Sequence, residues 1–182
     1  MLTITVPAGE CFDARTNTFI TTKAQTLRLE HSLVSLSKWE SKWKKPFLEQ
    51  KDTKTEEQMR DYIRCMTITQ NVDPNVYMCL TNENIRAINE YIDDPHTATW
   101  FSEDKNQKTG QKEVVTAEII YYWMVALQIP ENYQKWHLNR LLTLIRVCNI
   151  KNAPPKKMSK RDVYSRNRSL NASRRRAHHT RG

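Results

Sequence analysis

TAEIIYYWMVALQIPENYQKWHLNRLLTLIRVC, residues Thr116–Cys148, decides the fold. From Ile119 to Leu127 the chain carries no charge, and its apolar side chains leave no polar face at helical spacing. A helix of that kind, expected over 117–128, belongs at the centre of a helical body with neighbours on all sides. Ile129–Pro130–Glu131 ends it and opens the next, because proline suits a first helical turn. Tyr133, Trp136, Leu141, Leu144, Ile145 and Cys148 then form one long apolar stripe. Trp123 and Leu141 are the expected core anchors.

Upstream, the same helical period recurs in shorter stretches. Leu33, Leu36, Trp39 and Trp43 make a stripe that Ser32 can cap and Pro46 ends. Thr55-Glu-Glu-Gln58 has the form of a capping box and opens a helix with Met59, Tyr62, Ile63 and Met66 on its apolar face. Thr81 caps a further helix, with Ile85, Ile88 and Ile92 inward and an end before Pro95. Thr116 is the expected cap of the central helix. Residues 94–113 read as a polar loop interrupted by Trp100–Phe101, a pair expected to dock on the core or to contact a client protein. Trp39 is a further candidate client contact.

The first 30 residues have a different period. Leu2, Ile4 and Val6 alternate with Thr3 and Thr5, the pattern of a half-buried strand. Thr18–Thr21 and Thr26–Glu30 are further strand candidates, with turns at Gly9 and Asp13–Asn17. The expected fold is therefore mainly α (α+β): a compact bundle of about five helices over 31–152, a small antiparallel β element of two or three strands over 1–30, and a basic C-terminal tail over 153–182. Three glycines in 182 residues disfavour a turn-rich all-β alternative.

The charge is unevenly placed. Residues 151–182 hold eleven cations against one acid, Asp162; that net +10, in a chain of net +9, leaves residues 1–150 at −1. Lys156, Lys157, Lys160, Arg161, Arg166, Arg168, Arg174, Arg175 and Arg176 are the candidate contacts to a polyanion or an acidic partner. Ala153–Pro154–Pro155 separates this tail from the body, and Ser159-Lys-Arg-Asp162 is a helix start signal. Residues 160–177 can be helical, but Val163, Tyr164 and Leu170 are too few apolar groups to fold alone. The tail is thus expected to be disordered by itself or ordered by a partner.

No phosphate loop, dinucleotide fingerprint, zinc-protease motif or nucleophile elbow occurs, so no enzyme activity, catalytic residue or cofactor is expected. Cys11, Cys65, Cys79 and Cys148 match no metal-binding spacing and are expected as buried free thiols. The five histidines are scattered; His137, beside Trp136, is expected to be partly buried and hydrogen-bonded. Met1–Val6 lacks a basic leader region and runs into Pro7, and no stretch is long enough to span a bilayer, so an intracellular chain without membrane contact is expected.

LEHSLVSLSKWESKWKKPFL (Leu29–Leu48), EQMRDYIRCMT (Glu57–Thr67) and the run from Thr116 to Arg176 resemble a family of small proteins encoded in the structural-gene clusters of tailed bacteriophages. Within it, the chain looks like the tail assembly chaperones of long-tailed phages. That resemblance implies a largely helical, non-enzymatic, cofactor-free protein that binds the tape measure protein, or another tail protein, during tail formation in the host cytoplasm. The alternative is a nucleic-acid-binding or connector-type virion protein that uses the basic tail. Self-association is compatible with either.

Overall fold

The computed structural model describes residues 1–13, 17–49, 54–101, 114–154 and 160–179. The expected loop residues 102–112, and Pro155, Lys156, Lys157 and Ser159 of the hinge and tail, lie outside the described residues. The chain divides into two compact units, Met1–Cys148 and Asn149–Gly182. Six α-helices and four short strands are described, a mainly α fold with an N-terminal β element.

The strands are β1 (Leu2–Val6), β2 (Gly9–Asp13), β3 (Thr18–Thr22) and β4 (Gln25–Leu29). β1 pairs antiparallel with β4 and β2 with β3, as two separate two-stranded sheets rather than the single sheet expected. Their registers run on from one to the next, from Leu2↔Leu29 through Val6↔Gln25 and Gly9↔Thr22 to Asp13↔Thr18. The element is one long hairpin, interrupted where Pro7–Ala8 faces Lys23–Ala24. Proline has no N–H to give to a ladder, so pairing lapses there. Gly9, expected in a turn, begins β2 instead. At the base, Ile4, Val6, Leu27 and Leu29 are buried and the alternate residues face out.

The helices are α1 (Leu33–Trp43), α2 (Glu56–Met66), α3 (Asn82–Asp93), α4 (Ala117–Ala126), α5 (Leu138–Asn152) and α6 (Lys160–Ala177). Ser32, Thr55 and Thr81 cap α1, α2 and α3, each in a reciprocal box with Ser35, Gln58 and Asn84. Leu33, Leu36 and Trp39 of α1, Tyr62, Ile63 and Met66 of α2, and Ile88 and Tyr91 of α3 enter the core. Trp39 is 1% exposed and donates its indole N–H to the Gln58 carbonyl at 2.9 Å, so it has no surface to offer a client.

α4 differs most from expectation. Ala117, Ile120 and Met124 are buried, but Tyr122 is 68% and Val125 77% exposed, and Trp123 is half-buried. The helix lies at the surface with one face on the core, packed on α1, and its far side is exposed among the described residues. Thr116 makes no side-chain cap. That role passes to Glu40 of α1, whose Oε2 accepts from the Ala117 N–H at 2.7 Å while Oε1 accepts from the Phe47 N–H at 2.8 Å. Burial holds the Glu40 carboxyl above the usual carboxylate range, opposed by these two donors.

The second departure is at Pro130. It opens only a 3-10 segment, Glu131–Lys135, and α5 starts at Leu138. The break is tertiary in origin: His137 forms an isolated antiparallel bridge with Ser32, and the Leu138 N–H donates to the His31 carbonyl at 2.7 Å. Leu138, Leu141 and Ile145 are then buried, with Leu144 and Cys148 half-buried.

The cysteines are also a correction. Cys11 and Cys79 form a disulfide across 68 residues, while Cys65 and Cys148 are free and half-buried. Sequence spacing could not show that β2 folds beside the 3-10 segment Pro74–Met78, which Cys79 follows.

Leu141→Ala should cost about 3–5 kcal/mol and Trp123→Ala clearly less, measured by urea unfolding; equal losses would show α4 to be enclosed after all. Glu40→Ala should cost about 2–4 kcal/mol by leaving two buried N–H groups without acceptors, and Glu40→Gln, which keeps one carbonyl oxygen, should cost less.

Candidate functional site

α6 carries the expected basic cluster. Asp162 in its first turn and Arg174, Arg175 and Arg176 in its last complement the helix dipole. No side chain of the helix is buried. The helix, Lys160–Ala177, covers the residues read from the sequence as able to be helical. Lys160, Arg161, Arg166, Arg168, Arg174, Arg175 and Arg176 all lie on it and all are exposed. Lys156 and Lys157 remain outside the described residues.

Helical spacing sorts these side chains into rows. Arg161, Arg168 and Arg175 follow one another at seven-residue steps, a line about 21 Å long. Tyr164, Asn171 and His178 keep the same step beside it. Val163, Leu170 and Ala177 form a third row on the far side, flanked by Arg166 and Arg174. Positive charge thus surrounds the helix, with hydrogen-bonding groups concentrated beside the arginine line. Near its end, Asn171, Arg174, Arg175 and His178 line a shallow polar hollow of about 370 Å³. The seven-residue repeat is visible in the sequence and would have ordered the tail residues there.

The aromatic pair is split. Phe101 is half-buried under the Arg146 guanidinium, 4.1 Å from the ring centroid, whereas Trp100 is 81% exposed and so has not docked on the core. Tyr122 and Val125 are the other large apolar groups that α4 leaves to solvent.

A cluster unforeseen from the sequence lies where β4, α1, α2, α3 and α5 meet. His31, His96 and His137 come together, His137 being 5.1 Å from His31 and 4.0 Å from His96 between ring centroids. His31 Nδ1 is 2.5 Å from the Tyr62 hydroxyl, and Tyr91 donates its hydroxyl to Glu30 at 2.7 Å. His137 Nε2–H donates to the Tyr91 carbonyl at 3.0 Å, and Nδ1 is a buried lone pair with no partner among the described residues. Burial and then the neighbouring His96 push the His137 imidazole below its ordinary value. The cluster joins elements and disfavours a proton on His137; sequence spacing gave no sign of it because its histidines are up to 106 positions apart. Among the described residues, no group of three or more His, Cys, Asp or Glu is placed to hold a metal ion. No described helix is long and apolar enough to cross a membrane.

The His137 shift has a definite sign for stability. Its folded value is depressed, so the unfolded chain takes up the proton first. The contribution is complete above about pH 6.5 and is lost as pH falls from there through the folded value. His31, His96, Tyr91, Glu30 and Asp94 are the titratable groups around it. Urea midpoints between pH 7.5 and 5 should therefore fall, with a slope of up to about 1.4 kcal/mol per pH unit for this one proton. The His137→Gln chain should lack that part of the slope, and an unchanged slope would remove His137 as its source.

A comparison with protein-family models, with curated proteins and with solved structures finds no match to this chain.

Proposed function

We propose that this chain is a non-enzymatic phage assembly protein, a tail assembly chaperone, and that α6 is the arm by which it holds an acidic stretch of the tape measure protein or another tail protein. The observation that carries the reading is the helix itself: eighteen residues, ringed with cations, with no side chain buried. Most helical stability in proteins comes from packing an apolar face, and a helix without one gains its stability when a partner covers it. The exposed Trp100, Tyr122 and Val125 offer apolar contacts of the kind a client helix uses. The phage setting, and the host cytoplasm as the place of work, rest on the resemblance of Leu29–Leu48 and Thr116–Arg176 to that family. Co-expression with the tape measure protein of the same virus is the test. The full chain should co-purify with it, and a triple variant Arg161→Glu, Arg168→Glu, Arg175→Glu should not. Normal tails formed without this chain would end the reading.

A second reading is favoured by one feature, the spread of cations around the whole circumference of α6. A helix seated in a nucleic-acid groove meets phosphates on both sides, whereas one lying on an acidic protein surface meets charge on one side. In that case the protein is a nucleic-acid-binding or connector-type component that stays in the virion. DNA affinity should then fall steeply with salt, and a chain ending at Asn152 should lose most of it. Salt-independent or absent binding, or absence of the chain from purified virions, would exclude this alternative.

A further inference from the structure

The outer half of the hairpin meets the body at one place, where β3 rests against the 3-10 segment Pro74–Met78, and it buries little there. Of the side chains described in β2 and β3, only Thr22 is buried, and its hydroxyl finds no hydrogen-bond partner among the described residues. The Phe12 and Phe19 rings meet at a tilt, 5.2 Å between centroids, but are 52% and 72% exposed. The inner half is different: β1 and β4 place Ile4, Val6, Leu27 and Leu29 in the core. Between the halves the ladder lapses at Pro7–Ala8 and Lys23–Ala24, which makes a hinge. What ties the outer half down covalently is Cys11–Cys79.

The bond also sits at the rim of a groove. A hollow of about 520 Å³ is walled by Trp43 of α1, Arg60 and Arg64 of α2, Tyr77 and Met78 of the 3-10 segment, and Phe12 of β2. Phe12 is the one hairpin residue among its described walls, next to Cys11; Met78 adjoins Cys79. The disulfide therefore clamps one wall of the groove to another.

We propose that Cys11–Cys79 is a thiol-sensitive strap, whose reduction frees the β2–β3 tip about the Pro7 hinge and opens the groove along its Phe12 wall. The reductant is a dithiol. One thiolate attacks a sulfur of the pair and expels the other cysteine as a thiolate, which takes up a proton. The second thiol of the reductant then displaces the remaining cysteine from the mixed disulfide. In sum the protein gains two electrons and two protons and the reductant becomes a disulfide. A reducing compartment holds the groove open and an oxidising one closes it. The core does not depend on the strap, because α1, α2 and α5 bury their own apolar faces.

The test is hydrogen–deuterium exchange of the full chain with and without dithiothreitol, read by peptide mass spectrometry, beside thiol counting after denaturation. The untreated chain should show two titratable thiols, Cys65 and Cys148, and the reduced chain four. Reduction should speed exchange across residues 9–22 at least about tenfold and leave α1 and α5 unchanged. Cys11→Ser should show the fast tip with or without dithiothreitol, and Cys65→Ser should behave as the parent. Four thiols in the untreated chain, an unchanged tip on reduction, or loss of protection throughout α1 and α5 would each overturn the proposal; the parent chain alone decides it if Cys11→Ser does not fold.

Discussion

The Glu40 carboxylate is the constraint around which the body is arranged. A charge taken out of water is tolerated only when its oxygens find donors, and both donors here are backbone N–H groups from elsewhere in the chain. Phe47 reaches one oxygen and Ala117 the other. The first bond folds the chain back after α1, which ends at Lys44 in the left-handed region, and brings the Phe47 ring to 5.1 Å from Trp39 and 3.8 Å from Tyr62. The second sets where α4 begins and supplies negative charge at its N-terminus, in place of a cap from Thr116. One side chain thereby fixes the end of one helix, the start of another and the face on which they meet.

A second polar junction completes the body. Ser32 caps α1 and also bridges to His137, and the His31 carbonyl takes the first N–H of α5. The start of α1 and the start of α5 are thus held together by backbone bonds, with the histidine and tyrosine rings packed around them. Apolar burial supplies the driving force, since Leu33, Leu36 and Leu138 are fully buried. The polar bonds choose which of many apolar packings is adopted, because any other would leave buried donors unpaired.

α6 buries no side chain. Its charges are all exposed, and the groups that distinguish it are arranged by helical spacing alone. That contrast is the physical basis for proposing it as a binding element: the body places polar groups at junctions between its elements, whereas α6 presents its cations to solvent. The hairpin tip is intermediate, part of the first unit and joined to it by the packing of β3 on the 3-10 segment and by one covalent bond.

Much of this was legible from local pattern. The capping box at Thr55, the Ser32 and Thr81 caps, the alternating strand β1 and the α1 stripe are short-range features, and short-range chemistry determines them. The extent of α6 was likewise readable over 160–177; seven of the nine candidate cations lie on it, and Lys156 and Lys157 fall outside the described residues. Four things were decided only in three dimensions. α4 became a surface helix because apolar composition says nothing about how many neighbours a helix will have. The stripe from Tyr133 to Cys148 broke at His137 because a distant strand-like bond to Ser32 outweighed helical continuity. Cys11 met Cys79, and Glu40 met Ala117, because partners 68 and 77 residues apart are brought together by topology, which no local spacing encodes.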